Sequence, residues 1–244
     1  MKRTLFSLRL LPIAAACIAG PALATNGYFP HGYGLKAKGM GGVSAALAQD
    51  SLGGATNPAA MVWAGSRIDV FMPKRDAERS GAGIPPINGK VDSDRTAFLV
   101  PEFGYNQMIG SDLSLGVSVY GNGGMNTTYP QGAFQCPTPA NTFVPANMLC
   151  GSGSLGVDLM QLMIAPYVSW QFTPGHSVGI APIITYQRFS ADGLQAFDNP
   201  FLSTSPGNVT NRGTDDSWGV GVRVGYMGQI NKYLSVGIAY ASKV

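Results

Sequence analysis

The stretch Ser217-Trp218-Gly219-Val220-Gly221-Val222-Arg223-Val224-Gly225-Tyr226-Met227 decides the fold. Trp218, Val220, Val222, Val224 and Tyr226 take one parity. Ser217, Gly219, Gly221, Arg223 and Gly225 take the other. A period of two is a β-strand whose faces meet different surroundings. The apolar face is larger than a soluble sheet needs, and an aromatic residue closes each end of it. Trp218 to Tyr226 spans about 26 Å of extended chain, or roughly 20 Å along a membrane normal when tilted near 40°. That height suits the apolar band of an outer-membrane barrel, with aromatic girdles at both interfaces. Lipid is expected outside this strand, and water or substrate inside it.

The same alternation recurs on both sides of that stretch. Working back, outward apolar sets run Val178 to Tyr186, Met160 to Phe172, Leu113 to Val119, Ala97 to Tyr105 and Ile68 to Met72; working forward, Leu234 to Tyr240 follows. The reading is seven strands beginning near Arg67. Their connections alternate long and short: 74–94, Gln107–Asp112, Asn122–Ser154, Thr173–Gly175, Ala191–Asp215 and Gly228–Lys232. Sorting of loops by parity belongs to barrels with short periplasmic turns and long outer loops. A β-sandwich has no reason for it and carries a charged outward face. Seven is an odd count, and the last strand ends without a terminal aromatic residue. An open sheet in lipid leaves backbone groups unpaired at several kcal/mol each. The expectation is the N-terminal part of a larger barrel, a multi-chain assembly that pairs the edges being the alternative.

Composition agrees. Charged residues make up only 12% of the chain, against 33 glycines and 10% aromatics, natural for a barrel with a lipid face. Residues 1–24 read as a signal peptide: Lys2, Arg3 and Arg9, then an apolar run from Leu10, then Ala22-Leu23-Ala24 as the cleavage site. The run is too short for the ~20 residues of a spanning helix, and a lipoprotein reading at Cys17 fits less well. Without Lys2, Arg3 and Arg9, 13 basic residues face 13 acidic ones, so the basic pI is no argument for a nucleic-acid partner. Cys136 and Cys150 remain in one Pro/Asn-rich loop. A disulfide is expected there, two free thiols being the alternative. No metal site is expected, because no His lies near them.

Residues 25–65 do not alternate. Gly39-Met40-Gly41-Gly42 precedes an Ala/Leu run, and Asn57-Pro58-Ala59-Ala60-Met61 suits a helix cap with Pro in the first turn. Such a segment is too small for a core of its own and should pack inside something larger. The glycines do not form a phosphate loop: no Lys-Ser/Thr follows them and no strand precedes them. His31 and His176 are the only histidines, and neither is placed for a catalytic grouping on the outer side. No enzyme and no cofactor are expected.

The run Gly32-Tyr33-Gly34-Leu35-Lys36-Ala37-Lys38-Gly39-Met40-Gly41-Gly42, then Ala45 to Asp50, then Asn57-Pro58-Ala59-Ala60-Met61, resembles the start of the FadL/TodX family of outer-membrane transporters for hydrophobic compounds. Asn-Pro-Ala before the first strand is its most specific piece. The resemblance implies a barrel of roughly fourteen strands, about half of them present here over 66–244, with residues 25–65 as a hatch inside. It implies passive transport of long-chain fatty acids or aromatic hydrocarbons. Outer-membrane lipid, lipopolysaccharide and the barrel-assembly machinery are the implied partners, and the whole protein is expected to be monomeric. Asn57, Pro58, Ala59, Gly39, Gly41 and Gly42 become candidate gating residues, although Asn57-Pro58 also reads as a plain cap. A kink in the third strand is implied, with Gly121, Gly123 and Gly124 as candidates; a loop start is the alternative.

Inward positions mix Val100, Met163, Ala165, Tyr167 and Ile183 with Gln161, Ser169, Thr185 and Gln187. Packing on the hatch and contact with a lipid-like substrate explain them equally well. Arg67, Asp69, Glu102, Arg223 and Lys243 are the inward charges. Pairing with one another or with the hatch is expected, and Arg223 or Lys243 could instead meet a substrate carboxylate. Competing functions are a general diffusion porin, a surface adhesin on a similar barrel, or a truncated product without function.

Overall fold

Apolar alternation is converted into one antiparallel sheet. The computed structural model describes residues 30–47, 49–76, 78–83 and 89–244. The expected signal peptide and cleavage site, and residues 25–29 of the expected hatch, lie outside the described residues. Seven strands form a meander in which each pairs with its sequence neighbour: β1 (Arg67–Phe71), β2 (Glu102–Ile109), β3 (Leu113–Tyr129), β4 (Leu155–Thr173), β5 (His176–Asp192), β6 (Asp215–Asn231) and β7 (Leu234–Ala241). No described helix is long and apolar enough to cross a membrane.

The outward faces are those read from the sequence. Trp218 is 68% exposed and Val220 76%, with no protein layer over them. Aromatic rings mark both ends of the band. Tyr186 packs on Trp218 at 4.9 Å between ring centroids at one end, and Trp170, Phe172, His176 and Tyr226 succeed one another at the other. His176 Nδ1 and the Tyr226 hydroxyl are 2.7 Å apart. These are interfacial rings with apolar bodies and polar tips.

Strand ends differ from the sequence reading: β6 runs on to Asn231, so the turn expected at Gly228–Lys232 narrows to Lys232 and Tyr233, and three further places differ. Ala97–Leu99 does not belong to β2; it pairs with Lys74–Asp76 in a separate ribbon. Pro73 and Pro101 lie at the break, and a proline cannot donate to a ladder. Asn122 is not a loop start, because β3 runs on to Tyr129, and β4 begins at Leu155 rather than Met160. Long strands therefore carry the sheet past the lipid band. The turn expected from Gln107 is shorter, since β2 continues to Ile109 and reverses at Gly110, whose φ is +76°.

The loop between β3 and β4 is ordered by a small ribbon, Phe134–Pro137 with Phe143–Ala146, and by a disulfide joining Cys136 and Cys150. Asn147 lies fully buried beside it. Its Oδ1 accepts from the N–H groups of Leu149 and Gly151, and its Nδ2 donates to the Gly193 carbonyl at 3.0 Å. One amide thus ties this loop to the next long one.

Candidate functional site

Residues 30–66 lie against the inner face of the sheet. They contain a short helix α1 (Leu35–Gly39) and two 3₁₀ turns, η1 (Ser51–Ala55) and η2 (Pro58–Trp63). Short polar caps start both turns. Asp50 Oδ1 accepts from Leu52 N–H at 3.1 Å, and Asn57 Oδ1 accepts from Ala59 N–H at 3.0 Å. Leu52, Ala55, Ala59, Ala60 and Met61 are fully buried. Their partners are wall residues: Tyr120 and Ala165 around Leu52, Met227 around Ala60, and Tyr167 with Ala181 around Met61. The segment shares its core with the wall, as its small size requires.

Asn57 does more than cap η2. Its Nδ2 donates to the carbonyls of Ala45 at 2.6 Å and of Tyr226, on β6, at 3.0 Å. Three hydrogen bonds leave this fully buried amide nearly satisfied. The approach is close because the facing wall position is glycine. A Cβ on Gly225 would strike Asn57 Oδ1, and one on Gly179 would strike the Pro58–Ala59 backbone. Of the inward glycines of the opening stretch, Gly225 seats Asn57, whereas Gly219 and Gly221 face Val244 and Ser242. Gly39, Gly41 and Gly42 instead shape the turn after α1, where Gly41 and Gly42 have φ of +68° and +92°.

Most of the inward charges face one another or the hatch. Asp69 accepts from Arg67 Nε at 2.6 Å and from the Ser51 N–H and hydroxyl at 2.9 and 2.7 Å. Glu102 is buried, accepts from Gly34 N–H at 3.1 Å, and forms an ion pair with Lys38 of α1. Arg223 donates to the Ala55 carbonyl and to the Tyr120 hydroxyl. Its guanidinium is therefore engaged by the hatch. Lys243 follows β7, is exposed, and enters no ion pair among the described residues. Asp50 is buried and its Oδ2 has no hydrogen-bond partner among the described residues. Burial pushes its carboxyl above the ordinary aspartate range, opposed by the Leu52 N–H.

Of the wall residues that hold the hatch, Ser169 reads as inward in the sequence, while Ser177, Ser118 and Asn106 carry no signal of their own there. Ser169 and Ser177 both donate to the Ala59 carbonyl, at 2.9 and 2.6 Å. Ser118 donates to Ser51, and Asn106 to the Met61 and Gly65 carbonyls. Small polar residues at inward parity, interleaved with glycine, are the only trace they leave.

The wall is irregular at one place. β3 and β4 pair one-to-one up to Leu162↔Gly121 and again from Met160↔Gly124, so Asn122 and Gly123 oppose Gln161 alone. This is a β-bulge, and Gly123 has φ +120°. On its other edge, β3 pairs with β2 only as far as Glu102↔Tyr120. Beyond that pair β3 runs nine residues further with no β2 partner. A cavity of about 850 Å³ opens at this seam. Pro30 of the hatch lines it, as do Gly121, Gly123 and the outward Met160, Leu162 and Tyr186. Arg79 and Arg188 also line it; neither stood out in the sequence. Arg79 lies over the Phe98 ring and donates to the Asn126 carbonyl.

The family model for outer membrane protein transport proteins (OMPP1/FadL/TodX) matches residues 31–244. Solved structures share the fold. The toluene transporter TodX of P. putida aligns with a TM-score of 0.64 and 18% identity, over 87% of this chain and 56% of that one. The toluene transporter TbuX of Ralstonia pickettii gives 0.62 and 17%, over 87% and 57%. A Pseudomonas aeruginosa FadL homologue gives 0.52 and 16%, over 81% and 48%. The chain spans about half the length of these solved relatives. No curated protein sequence matches it.

Proposed function

Because the chain belongs to the OMPP1/FadL/TodX family of outer-membrane transport proteins, we propose that it forms the hatch-bearing part of a passive channel for hydrophobic molecules. Long-chain fatty acids and aromatic hydrocarbons are the substrate classes. Residues 30–66 act as the gate, and the seam between β2 and β3 is the exit from the lumen toward the bilayer.

The observation that carries this reading is the cavity at the bulge. It touches the hatch at Pro30 and the lipid-facing parity at Met160 and Leu162, so one space is bounded by both. A molecule leaving there need not enter water. Its volume lies within the usual range of small-ligand pockets, about 300–1,000 Å³. A water-filled porin would want charge along the inner face, whereas Asp69, Glu102 and Arg223 are engaged by Arg67 and the hatch. The step needs binding and displacement only, so no covalent chemistry and no cofactor are required.

Uptake by cells carrying the whole protein in their outer membrane tests the reading. Labelled oleate and toluene should enter faster than in cells lacking it, while small sugars should not. Sugar flux with no gain for either hydrophobic compound would sink the proposal and favour a general porin.

A further inference from the structure

We propose that the hatch segment Tyr33–Lys38 is a clasp across the seam, with Tyr33 and Lys38 as the positioning residues that hold its two edges. The inference rests on the transport reading for its purpose and on separate contacts for its geometry.

The edges are the residues at which the β2–β3 ladder stops. On the β2 side the last paired residue is Glu102, directly after Pro101. Its carboxylate is held by Gly34 N–H and by the Lys38 ammonium. On the β3 side the bulge residue Asn122 is held by the Tyr33 hydroxyl, which donates to its Oδ1. The Tyr33 ring also lies on Tyr120, the other member of the last pair, with centroids 4.1 Å apart. Asn122 passes the contact on, since its Nδ2 donates to Gln161 Oε1 on β4 at 3.2 Å. Strand-to-strand pairing ends at Glu102↔Tyr120, and next to that last pair hatch-to-strand bonds hold both edges.

Both ends of the clasp sit on one short segment. Tyr33 lies two residues before α1 and Lys38 in its last turn, and Pro30, three residues before Tyr33, lines the cavity. The segment cannot move away from the wall while keeping either hold. Withdrawal breaks the Tyr33 and Lys38 contacts together and removes Pro30 from the cavity lining. Hatch displacement and seam opening are then one event rather than two. The Lys38–Glu102 pair sharpens this coupling, because a buried carboxylate parted from its ammonium is costly until water reaches it. A half-released clasp is therefore the least stable arrangement.

Nitroxides at Leu99→Cys and Met125→Cys report the two sides of the seam in the whole protein in outer-membrane vesicles. Both positions are exposed, and Cys136 and Cys150 are already disulfide-bonded. Tyr33→Phe removes the hydroxyl and keeps the ring. Lys38→Met with Glu102→Gln removes both charges, so no buried ion is left alone. In each variant the dipolar coupling between the labels should weaken, and hydrophobic uptake should start about threefold faster or more, the scale of one lost hydrogen bond. Combining the two sets should add little to the stronger one, since releasing either edge frees the seam. Unchanged coupling in Tyr33→Phe, with a folded barrel by its heat-shifted gel migration, overturns the clasp. Weakened coupling in a protein that moves no hydrophobic compound keeps the clasp and overturns the transport reading instead.

Discussion

Proline interrupts the wall at two sites, with opposite results. In the β4–β5 hairpin, Pro166 and Pro182 lie opposite each other. Pairing runs to Ile164↔Ile184 and resumes at Val168↔Ile180 in the same register. At the β2–β3 seam, Pro101 precedes Glu102, and no β2–β3 pairing is found beyond it. Lost N–H donors are common to both sites, so they do not explain the difference. In β4–β5 each proline is still paired on its other edge, Pro166 with Val117 and Pro182 with Val222. Behind it the hatch packs Met61 between Tyr167 and Ala181. At the seam, β3 bulges away at Asn122–Gly123, and a cavity lies behind it. A proline thins a wall that is otherwise held, whereas a bulge beside a proline opens it.

The sharpest way to break this comparison is to delete Gly123. One-to-one register from Gly121 to Gly124 would return, and β3 would lose the bend a bulge imposes. Hydrophobic uptake should fall by about tenfold or more, on the scale of a closed path rather than a lost contact, while the barrel still migrates as folded. Uptake at the parent rate would remove the bulge from the proposed exit. Next in size is the hatch side of the closed site. Gly179→Val places a side chain where the Pro58–Ala59 backbone lies. Overpacking of this kind costs about 1–3 kcal/mol. Limited proteolysis should then cut within residues 30–66 faster, with the sheet intact.

Asn57→Ala should loosen the same docking more gently. It removes bonds to Ala45, Ala59 and Tyr226, each worth roughly 1 kcal/mol net. Faster hatch cleavage and altered uptake are expected with normal barrel assembly; normal uptake would leave Asn57 only its capping role. Asp50 should make docking depend on pH. Its carboxyl is raised in the docked state, so docking favours the protonated form. That stability is present at acidic pH and is lost as pH rises through the docked value. Asp50→Asn should flatten this slope when protease protection of the hatch is followed against pH, and an unchanged slope would assign it to another group. The smallest effect on the hatch and the sheet belongs to the disulfide. Reducing Cys136–Cys150 opens a short loop, a change of about 3 kcal/mol in the loop's own order. Cleavage should appear there, with β3 and β4 unaffected. Spread of that disorder into the seam would tie the outer loop to the exit.

Much of this architecture was legible residue by residue. Alternation placed Trp218, Val220, Val222 and Val224 against lipid, because the two faces of a strand meet different solvents. The parity of loop lengths, the Cys136 and Cys150 loop and the seven strands could be read the same way. The ends of β3 and β4 could not: period two fades above the lipid band, where both faces meet water. Ala97 keeps the parity of Phe103, yet Pro101 puts it in another ribbon. The glycines at 121, 123 and 124 were visible, but a bulge exists only relative to the partner strand that lacks the extra residue.

The sequence by itself determined which side chains face lipid and which face inward, since that follows from chain geometry alone. It also determined that residues 25–65 need a core from elsewhere, since so short a segment buries too little surface. Tertiary structure decided which inward residue meets which part of the hatch. Gly225 became the seat of Asn57, Glu102 the partner of Lys38, and Arg223 a hatch ligand rather than a free cation. Those pairings join residues up to 168 positions apart. They depend on register and on how the sheet curves around the hatch, and neither is written in any one strand.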